Sequence, residues 1–291
     1  MKALSNSLAL KASGMQVVGP ISELRALRQQ LSGKVGFVPT MGYLHKGHLA
    51  LVKQARIANP NVIVSIYVNP TQFGPKEDFG MYPRELDRDL ELLREEGADI
   101  VFVPSDNEMY PPEFSSWVDV EKVTERLEGA SRPGHFRGVA TIVAKLLNIV
   151  QPTRAYFGQK DAQQVMVIKR MAVDLNLGID VVVVPTVREE DGLAMSSRNI
   201  YLSPGEHQAA TILFKALNSA QKLWQGGEHD ANRLRKQMAS LIQKEPLARI
   251  DYISIADAET LEELNLIDRP ALASLAVLIG KTRLIDNISL E

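Results

Sequence analysis

The chain has 291 residues, 45% of them hydrophobic, which is enough for a sizeable core in one large domain or two ordinary domains. Its 33 basic and 35 acidic residues give a net charge of -2, so no global basic field is present to draw it to nucleic acid or anionic membrane. It contains no cysteine, which excludes disulfides, thiolate nucleophiles, CxxC zinc sites and thioester chemistry, and is compatible with a reducing cytoplasm.

The first 14 residues hold an early lysine and some leucines, but polar residues interrupt the apolar stretch. The interrupting residues are Ser5, Asn6, Ser7 and Lys11. The segment is therefore a poor signal peptide, and we expect a short tail. No apolar run approaches the roughly 18 residues of a membrane span, so we expect no membrane association.

From residue 35 onward, short β-branched runs alternate with longer helical patterns. The predicted strands are 35–38, 62–68, 100–103, 155–157 and 180–184, and the predicted helices are 48–58, 83–96, 138–150 and 161–177. Strands that alternate with helices of this length favour a parallel sheet covered on both faces. With right-handed crossovers, the predicted class is α/β, a Rossmann-like doubly wound parallel sheet.

Two segments depart from this alternation. Residues 117–120 predict an additional edge strand or hairpin, and residues 128–137 predict a loop rich in turn residues and charge. After about residue 186 the pattern becomes that of a smaller α+β domain. Its predicted helices are 204–224, 230–243 and about 260–264, and its strands are 250–255 and 275–279, with 282–285 as an open continuation. The predicted domains are 1–186 and 187–291, joined near residues 185–192.

The first strand–loop–helix unit carries a glycine-containing loop and two histidines. The loop and helix start contain Met41, Gly42, Tyr43, Leu44, His45, Lys46, Gly47 and His48. Ligands bind beyond the carboxyl ends of strands in open α/β sheets, and helix N-termini favour anions. His45 and His48 face one way if the helix has begun by residue 45. We therefore predict a phosphate site, with two ordinary surface histidines or, less favoured, a zinc site as alternatives.

Two further segments offer groups that suit phosphates. Gly158, Gln159, Lys160 and Asp161 follow a strand, where Lys160 could reach a phosphate and Asp161 could cap the next helix. An ordinary capped helix with a solvated lysine is the alternative.

A later segment supplies hydroxyls and a guanidinium that suit a triphosphate. It consists of Met195, Ser196, Ser197 and Arg198. The alternative for this segment is a polar interdomain loop.

Two positions after the second predicted strand could orient a small polar substrate, namely Asn69 and Gln72. Because Asn-Pro is strong turn chemistry, a simple strand-ending turn is the alternative. Asp87, Asp89 and Glu91 lie on a predicted helix and are most simply a solvated face, although Asp89 could help to hold Mg²⁺.

These segments resemble a known family. The residues His45-Lys46-Gly47-His48 resemble the HxGH signature of the nucleotidylyltransferase superfamily. Together with residues 39–42, 67–73, 158–161 and 195–199, they resemble the pantoate–β-alanine ligase family over roughly residues 35–204, followed by a C-terminal domain of suitable size. Residues 195–198 stand where relatives carry a KMSKS-type loop.

The resemblance implies an ATP-dependent, AMP-forming ligase of coenzyme A biosynthesis. The carboxylate of pantoate would attack the α-phosphorus of ATP, giving pantoyl adenylate and pyrophosphate. The amine of β-alanine would then attack the activated carbonyl, giving pantothenate and AMP. The resemblance also implies Mg²⁺ with ATP, a homodimer, and a C-terminal domain that closes over the site.

Residue roles also follow from the resemblance. His48 would donate a proton to the departing pyrophosphate, with His45 beside it. The groups that would neutralise phosphate charge are Lys160, Ser196, Ser197 and Arg198. Those that would hold adenosine are Gly158, Asp161 and the backbone at Val187, while Gln72 and Gln164 would grip pantoate. The rivals are transfer of AMP to a phosphate acceptor and a nucleotide-binding regulator without turnover.

Overall fold

The computed structural model describes residues 14–75 and 77–291, so the predicted N-terminal tail lies almost wholly outside the described residues. The described chain forms two compact units. The first contains residues up to Glu121, Arg132–Gly158 and Gln164–Val184, and the second contains Lys122–Ser131, Gln159–Gln163 and Pro185–Glu291. The predicted domain boundary between residues 186 and 187 stays a prediction.

The first unit is built on a parallel six-stranded sheet. Its strands are β1 (Gln16–Val18), β2 (Val35–Thr40), β3 (Asn61–Ile66), β4 (Ile100–Phe102), β5 (Arg154–Gly158) and β6 (Asp180–Val184), in the order β1-β4-β3-β2-β5-β6. β2 and β3 are apolar along nearly their whole length and are buried, as expected of central strands covered on both faces. The predicted α/β class is therefore confirmed.

The strand order reverses between β2 and β5, because the chain adds β3 and β4 on one side of β2 and then β5 and β6 on the other. Helices cover the sheet between the strands. They are α1 (Ile21–Gln30), α2 (Lys46–Ala58), α3 (Leu86–Glu95), α4 (Asp106–Met109), α5 (Glu128–Ser131), α6 (His135–Val150) and α7 (Ala162–Asp174), of which α5 belongs to the second unit. A reversal of this kind opens a crevice at the carboxyl ends of the two strands.

The predicted strand at residues 117–120 is wrong. The backbone N–H of Val118 donates to the Thr141 hydroxyl of α6 at 3.0 Å, and the Arg137 guanidinium lies 4.8 Å from the centre of the Trp117 ring. The alternating pattern thus reflects packing against a helix and not β pairing. One edge of the sheet is instead formed by β1, which is only three residues long and was missed, and the other edge is formed by β6. The predicted loop at 128–137 contains α5 and the first turn of α6.

The second unit holds an antiparallel sheet of β7 (Ala248–Asp257), β8 (Ala271–Ile279) and β9 (Thr282–Leu290), in that order. Three helices pack with it: α8 (Pro204–Ala210), α9 (Ile212–Gln225) and α10 (Ala231–Ile242). Its α+β character is as predicted. No helix among the residues that the structure describes is long and apolar enough to span a membrane.

Two helix predictions in this unit were wrong. The predicted helix at 204–224 is divided at Thr211, whose hydroxyl donates to the Gln208 carbonyl and so competes with the helical pattern. Residues 260–264 form no helix, because the Asp257 carboxylate accepts the Thr260 N–H in a turn and Leu261 adopts a left-handed φ of 59°.

Gly138 brings α6 against the single 3₁₀ turn Pro70–Gln72. A Cβ atom at Gly138 would overlap the backbone carbonyl of Thr71, which cannot rotate away as a side chain can. We predict that Gly138→Ala lowers the free energy of unfolding, because the overlap itself costs about 1–3 kcal/mol, the scale of overpacking. The gain in helix propensity, about 1 kcal/mol, acts in the opposite direction. Urea denaturation measures the net change.

Gly205→Ala is the matched control, since Gly205 also lies in a helix and a Cβ there would meet no described atom within 4 Å. We expect this variant to stay within about 1 kcal/mol of the parent. Equal stability of the two variants would contradict the close approach at Gly138.

Candidate active site

The loop after β2 makes a sharp turn before α2 begins. Gly42 and Tyr43 both have positive φ, at 80° and 49°. The left-handed region is readily accessible to glycine but unfavourable for tyrosine. The Thr40 hydroxyl supports the turn, because it accepts the Gly42 N–H at 3.3 Å and donates to the Ser65 carbonyl at 2.8 Å. This loop contains the residues predicted to bind ATP, from Met41 to His48.

Asp89 of α3 holds this loop in place. Its two carboxylate oxygens accept the backbone N–H groups of Tyr43 and Leu44, each at 2.7 Å. The side chain is only 1% exposed, and burial raises the pKa of Asp89 above its ordinary value although the two N–H groups act against that shift. The interpretation of Asp89 as part of a solvated face was therefore wrong, whereas Asp87 and Glu91 are exposed.

His45 and His48 form a reciprocal cap at the start of α2. The helix begins at Lys46, so His45 is its N-cap residue. His45 Nδ1 accepts the Gly47 N–H at 3.1 Å, His48 Nδ1 accepts the His45 N–H at 3.4 Å, and the ring centres lie 4.0 Å apart. A nitrogen that accepts from an N–H carries no proton, so each neutral ring bears its proton on Nε2.

Asn69, predicted to bind substrate, has its hydrogen-bonding groups occupied within the first unit. Its Nδ2 donates to Gln72 Oε1 at 3.0 Å and to the Gly138 carbonyl at 3.2 Å. Its Oδ1 accepts from the hydroxyls of Thr71 and Tyr110, both at 2.9 Å. Since these contacts fill the two donors and two lone pairs of a carboxamide, Asn69 is placed to orient Gln72.

Gln72 connects the loops that follow β2 and β3. Its Nε2 lies 3.1 Å from the sulfur of Met41, so the predicted substrate residue and the predicted ATP loop meet at the same edge of the sheet. Gln164 lies in the first turn of α7 and is half-buried. Its neighbour Gln163 is buried and bonds within the second unit, where it accepts the Glu128 N–H at 3.0 Å.

His135 and Arg132 also hold Gln72, and sequence reasoning missed both. His135 Nδ1 lies 2.8 Å from the Gln72 carbonyl, and Arg132 Nη1 lies 3.0 Å from His135 Nε2. Because a carbonyl can only accept, neutral His135 carries its proton on Nδ1. Only the turn-rich, charged character of residues 128–137 was a signal in the sequence, and it does not identify a partner.

Glu77 pairs with Arg132 through two hydrogen bonds of 2.7 and 2.8 Å. Burial opposes ionisation of Glu77, but the hydrogen bond and positive charge of Arg132 outweigh it, and the pKa of Glu77 is lowered. Both partners are therefore charged at neutral pH. The guanidinium that approaches Gln72 is thus already neutralised by a carboxylate.

The remaining predicted residues lie in the second unit, apart from Gly158 at the end of β5. Gln159–Asp161 forms a 3₁₀ turn in which Lys160 Nζ lies 3.4 Å from Asp161 Oδ1. Val187 and Met195 face each other across a hairpin, where the Met195 N–H donates to the Val187 carbonyl at 3.0 Å.

The hairpin leads directly into the 3₁₀ helix Ser197–Tyr201. Ser196 caps this helix, with its hydroxyl accepting the Arg198 N–H at 3.2 Å. The sequence-predicted residues Val187, Met195, Ser196, Ser197 and Arg198 are thus brought together as one structural feature.

Comparison with known proteins gives consistent matches. The family model described as Pantoate-beta-alanine ligase matches residues 16–289. A pantothenate synthetase of Roseiflexus castenholzii is 59% identical over 277 residues, which cover 95% of this chain and 100% of that protein. A pantothenate synthetase of Acetivibrio thermocellus is 55% identical over 280 residues, covering 95% of this chain and 100% of the relative.

Solved structures agree. A pantothenate synthetase from Thermus thermophilus superposes with a TM-score of 0.91 at 49% identity, covering 94% of this chain and 99% of that chain. A pantoate-beta-alanine ligase from Francisella tularensis, described as complexed with beta-gamma ATP and beta-alanine, has a TM-score of 0.79 at 36% identity, covering 94% and 97% of the two chains.

The histidine hydrogen bonds predict opposite ring tautomers within one protein. We expect His45 and His48 to carry the proton on Nε2, and His135 to carry it on Nδ1. Long-range proton–nitrogen NMR on ¹⁵N-histidine-labelled protein distinguishes these forms at a pH well above the ordinary histidine pKa of about 6.5. His135 serves as the internal control. A protonated Nδ1 at His45 or His48 would show that the cap is not formed.

Proposed function

We propose residue roles for a chain that belongs to the pantoate–β-alanine ligase family. It is an ATP-dependent, AMP-forming ligase that joins pantoate to β-alanine through a pantoyl adenylate and releases pyrophosphate. The observation that carries our assignment is the loop after β2, which Asp89 holds and which ends in two imidazoles at the N-terminus of α2. Because β2 borders the reversal in strand order, this loop lies where open α/β sheets bind ligands.

His48 and His45 are proposed to stabilise the leaving pyrophosphate. Their Nδ1 atoms accept backbone N–H groups, so each neutral ring carries its proton on Nε2, the nitrogen that we propose to face phosphate oxygens. The N-terminus of α2 contributes partial positive charge in the same direction. Donors fixed before the reaction stabilise developing charge with no cost of reorganisation. In this tautomer His48 acts by donating a hydrogen bond from Nε2–H to the departing group, because a neutral imidazole that gave up this proton would become an anion.

For ATP, we propose two sets of residues. Lys160, Ser196, Ser197 and Arg198 neutralise phosphate charge, and Gly158, Asp161 and the Val187 backbone hold adenosine. The clustering of Ser196, Ser197 and Arg198 at one helix start supports the first set, because helix N-termini with hydroxyl and guanidinium donors favour anions. The predicted ATP contacts further include Met41, Gly42, Tyr43, Leu44, Lys46, Gly47, Gln159 and Met195.

For pantoate, we propose Gln72 and Gln164 as the residues that bind it. Gln72 is oriented by Asn69 through its side chain and by His135 through its backbone. A neutral amide suits a substrate with hydroxyls and one reacting carboxylate. A phosphate acceptor would require unpaired cations here, and Arg132 has its charge compensated by Glu77. This argues against AMP transfer to a phosphate.

Mg²⁺ is proposed to arrive with ATP and not through a protein site. Asp89, the predicted ligand, already uses both oxygens to accept N–H groups. Within the described part of the chain, no group of three or more acidic or histidine side chains could hold a metal ion. Asp89 is therefore better explained as the residue that fixes the loop.

A homodimer and a cytoplasmic location are further proposals. They follow from family resemblance and from the absence of cysteine in the sequence. A monomeric mass in sedimentation equilibrium would contradict the first.

The reaction is tested by exchange of labelled pyrophosphate into ATP. We expect exchange to require pantoate, and AMP release to require β-alanine as well. His48→Ala should raise the adenylation barrier by about 2–4 kcal/mol, the scale of losing one transition-state donor. Single-turnover pyrophosphate release measures this barrier directly.

His229→Ala is the control for this experiment, because His229 contacts the Ile267 carbonyl in the second unit and is given no role. Its adenylation rate should equal that of the parent. Exchange without pantoate, or an unchanged rate in His48→Ala, would contradict the proposal.

Asp89→Asn tests the positioning role against the metal-ligand role. The amide replaces one acceptor by a donor that faces a backbone N–H, so the loop shifts and adenylation slows by about 100-fold, as expected for a displacement near 1 Å. Titration with Mg²⁺ should not restore the rate. Asp87→Asn, exposed on the same helix, should behave as the parent. Recovery of Asp89→Asn at high Mg²⁺ would instead support a ligand role.

A further inference from the structure

Asn287 of β9 is a buried polar residue that sequence reasoning did not identify. Only 4% of it is exposed, and its side chain bonds to the segment that carries Lys160. Asn287 Nδ2 donates to the Lys160 carbonyl at 2.8 Å and to the Gln159 carbonyl at 3.1 Å, and its Oδ1 accepts from Gln159 Nε2 at 3.2 Å. All of these residues belong to the second unit.

This arrangement matters because Gln159–Asp161 is a 3₁₀ turn that leads directly into α7. Asn287 donates side-chain hydrogen bonds to two consecutive carbonyls of this turn. It therefore fixes the peptide plane on either side of the Lys160 Cα atom, and with it the direction in which the lysine side chain leaves the backbone.

Asn287 is itself held in place by its neighbour. The Asn287 N–H donates to Asp286 Oδ1 at 2.8 Å, and Asp286 makes two hydrogen bonds with Arg188, at 2.6 and 3.0 Å. Arg188 also lies over the Phe214 ring, 4.1 Å from its centre. Asn287 is thus restrained through its own backbone N–H and through the Asp286–Arg188 pair. A side chain held in this way can keep a functional group in a fixed orientation.

We propose that Asn287 is a positioning residue for the adenylation step, acting through Lys160. The inference rests on the proposed role of Lys160 at the phosphates of ATP. Without Asn287, Lys160 is still present but its side chain no longer has a fixed direction. We therefore expect substrate binding to change little, while stabilisation of the transition state is lost. This predicts a change in the rate at saturation and not in the Michaelis constants.

The test is a double-mutant cycle on the full-length protein, read by single-turnover pyrophosphate release at saturating ATP and pantoate. We expect Asn287→Ala to slow release by about 10- to 100-fold, with KM for ATP and pantoate within about threefold of the parent. Asn287→Leu, which keeps the volume of a buried strand residue but lacks the donors, should show the same loss. In a Lys160→Ala background, Asn287→Ala should cause no further loss beyond about twofold.

Ser274→Ala is the matched control. Ser274 lies opposite Asn287 in the register of β8 and β9, is buried to a similar degree, and its hydroxyl has no hydrogen-bond partner among the described residues. Its kinetics should match those of the parent, which separates loss of positioning from loss of a buried polar group.

The outcomes are distinct. Full additivity of the Asn287 and Lys160 losses would overturn the positioning inference while leaving the role of Lys160 intact. An unaltered rate in Lys160→Ala would overturn the role of Lys160 and the inference with it. Normal rates in both Asn287→Ala and Asn287→Leu would overturn the inference alone.

Discussion

The buried carboxylate of Asp89 is the interaction on which the proposed chemistry of the first unit depends. It receives the N–H groups of two consecutive residues at 2.7 Å, at the point where Gly42 and Tyr43 adopt left-handed backbone conformations. The left-handed tyrosine costs roughly 1–2 kcal/mol. Hydrogen bonds to a charged acceptor contribute about 1.5–3 kcal/mol each, which is enough to offset that cost. Burial of the charge also costs free energy, as the raised pKa of Asp89 shows.

This constraint determines what the two histidines can do. With the loop fixed, His45 becomes the N-cap of α2 and both rings accept backbone N–H groups on Nδ1. The backbone thus selects the Nε2–H tautomer and provides two neutral donors side by side. In the proposed role, Nε2–H donors held in this way stabilise the charge that develops on pyrophosphate. Neutral His135 has the opposite tautomer, with its proton on Nδ1, because Nδ1 faces a carbonyl, which can only accept.

Much of the fold could be predicted because its signals are local. β2 and β3 are continuous apolar strands, and the motif residues follow directly after them. β1 was missed because three residues give no detectable period, and residues 117–120 were misassigned because alternation also arises when a segment packs on a helix. The roles of Asp89 and Arg132 could not be predicted. Leu44, a partner of Asp89, and Glu77, a partner of Arg132, lie 45 and 55 residues away in the chain, beyond the reach of local capping rules.

Asp89, which sequence reasoning misplaced, and Asn287, which it missed, have the same kind of structural role. Each lies beside a turn that carries residues proposed to bind ATP, and each makes hydrogen bonds to the backbone of that turn. Asp89 has two acceptors and satisfies two N–H groups, whereas the carboxamide of Asn287 has two donor hydrogens and satisfies two carbonyls. Exchanging the two side-chain types would place like groups face to face. The choice of Asp at one position and Asn at the other therefore follows from whether N–H groups or carbonyls face the side chain, and this becomes visible only when the loop geometry is known.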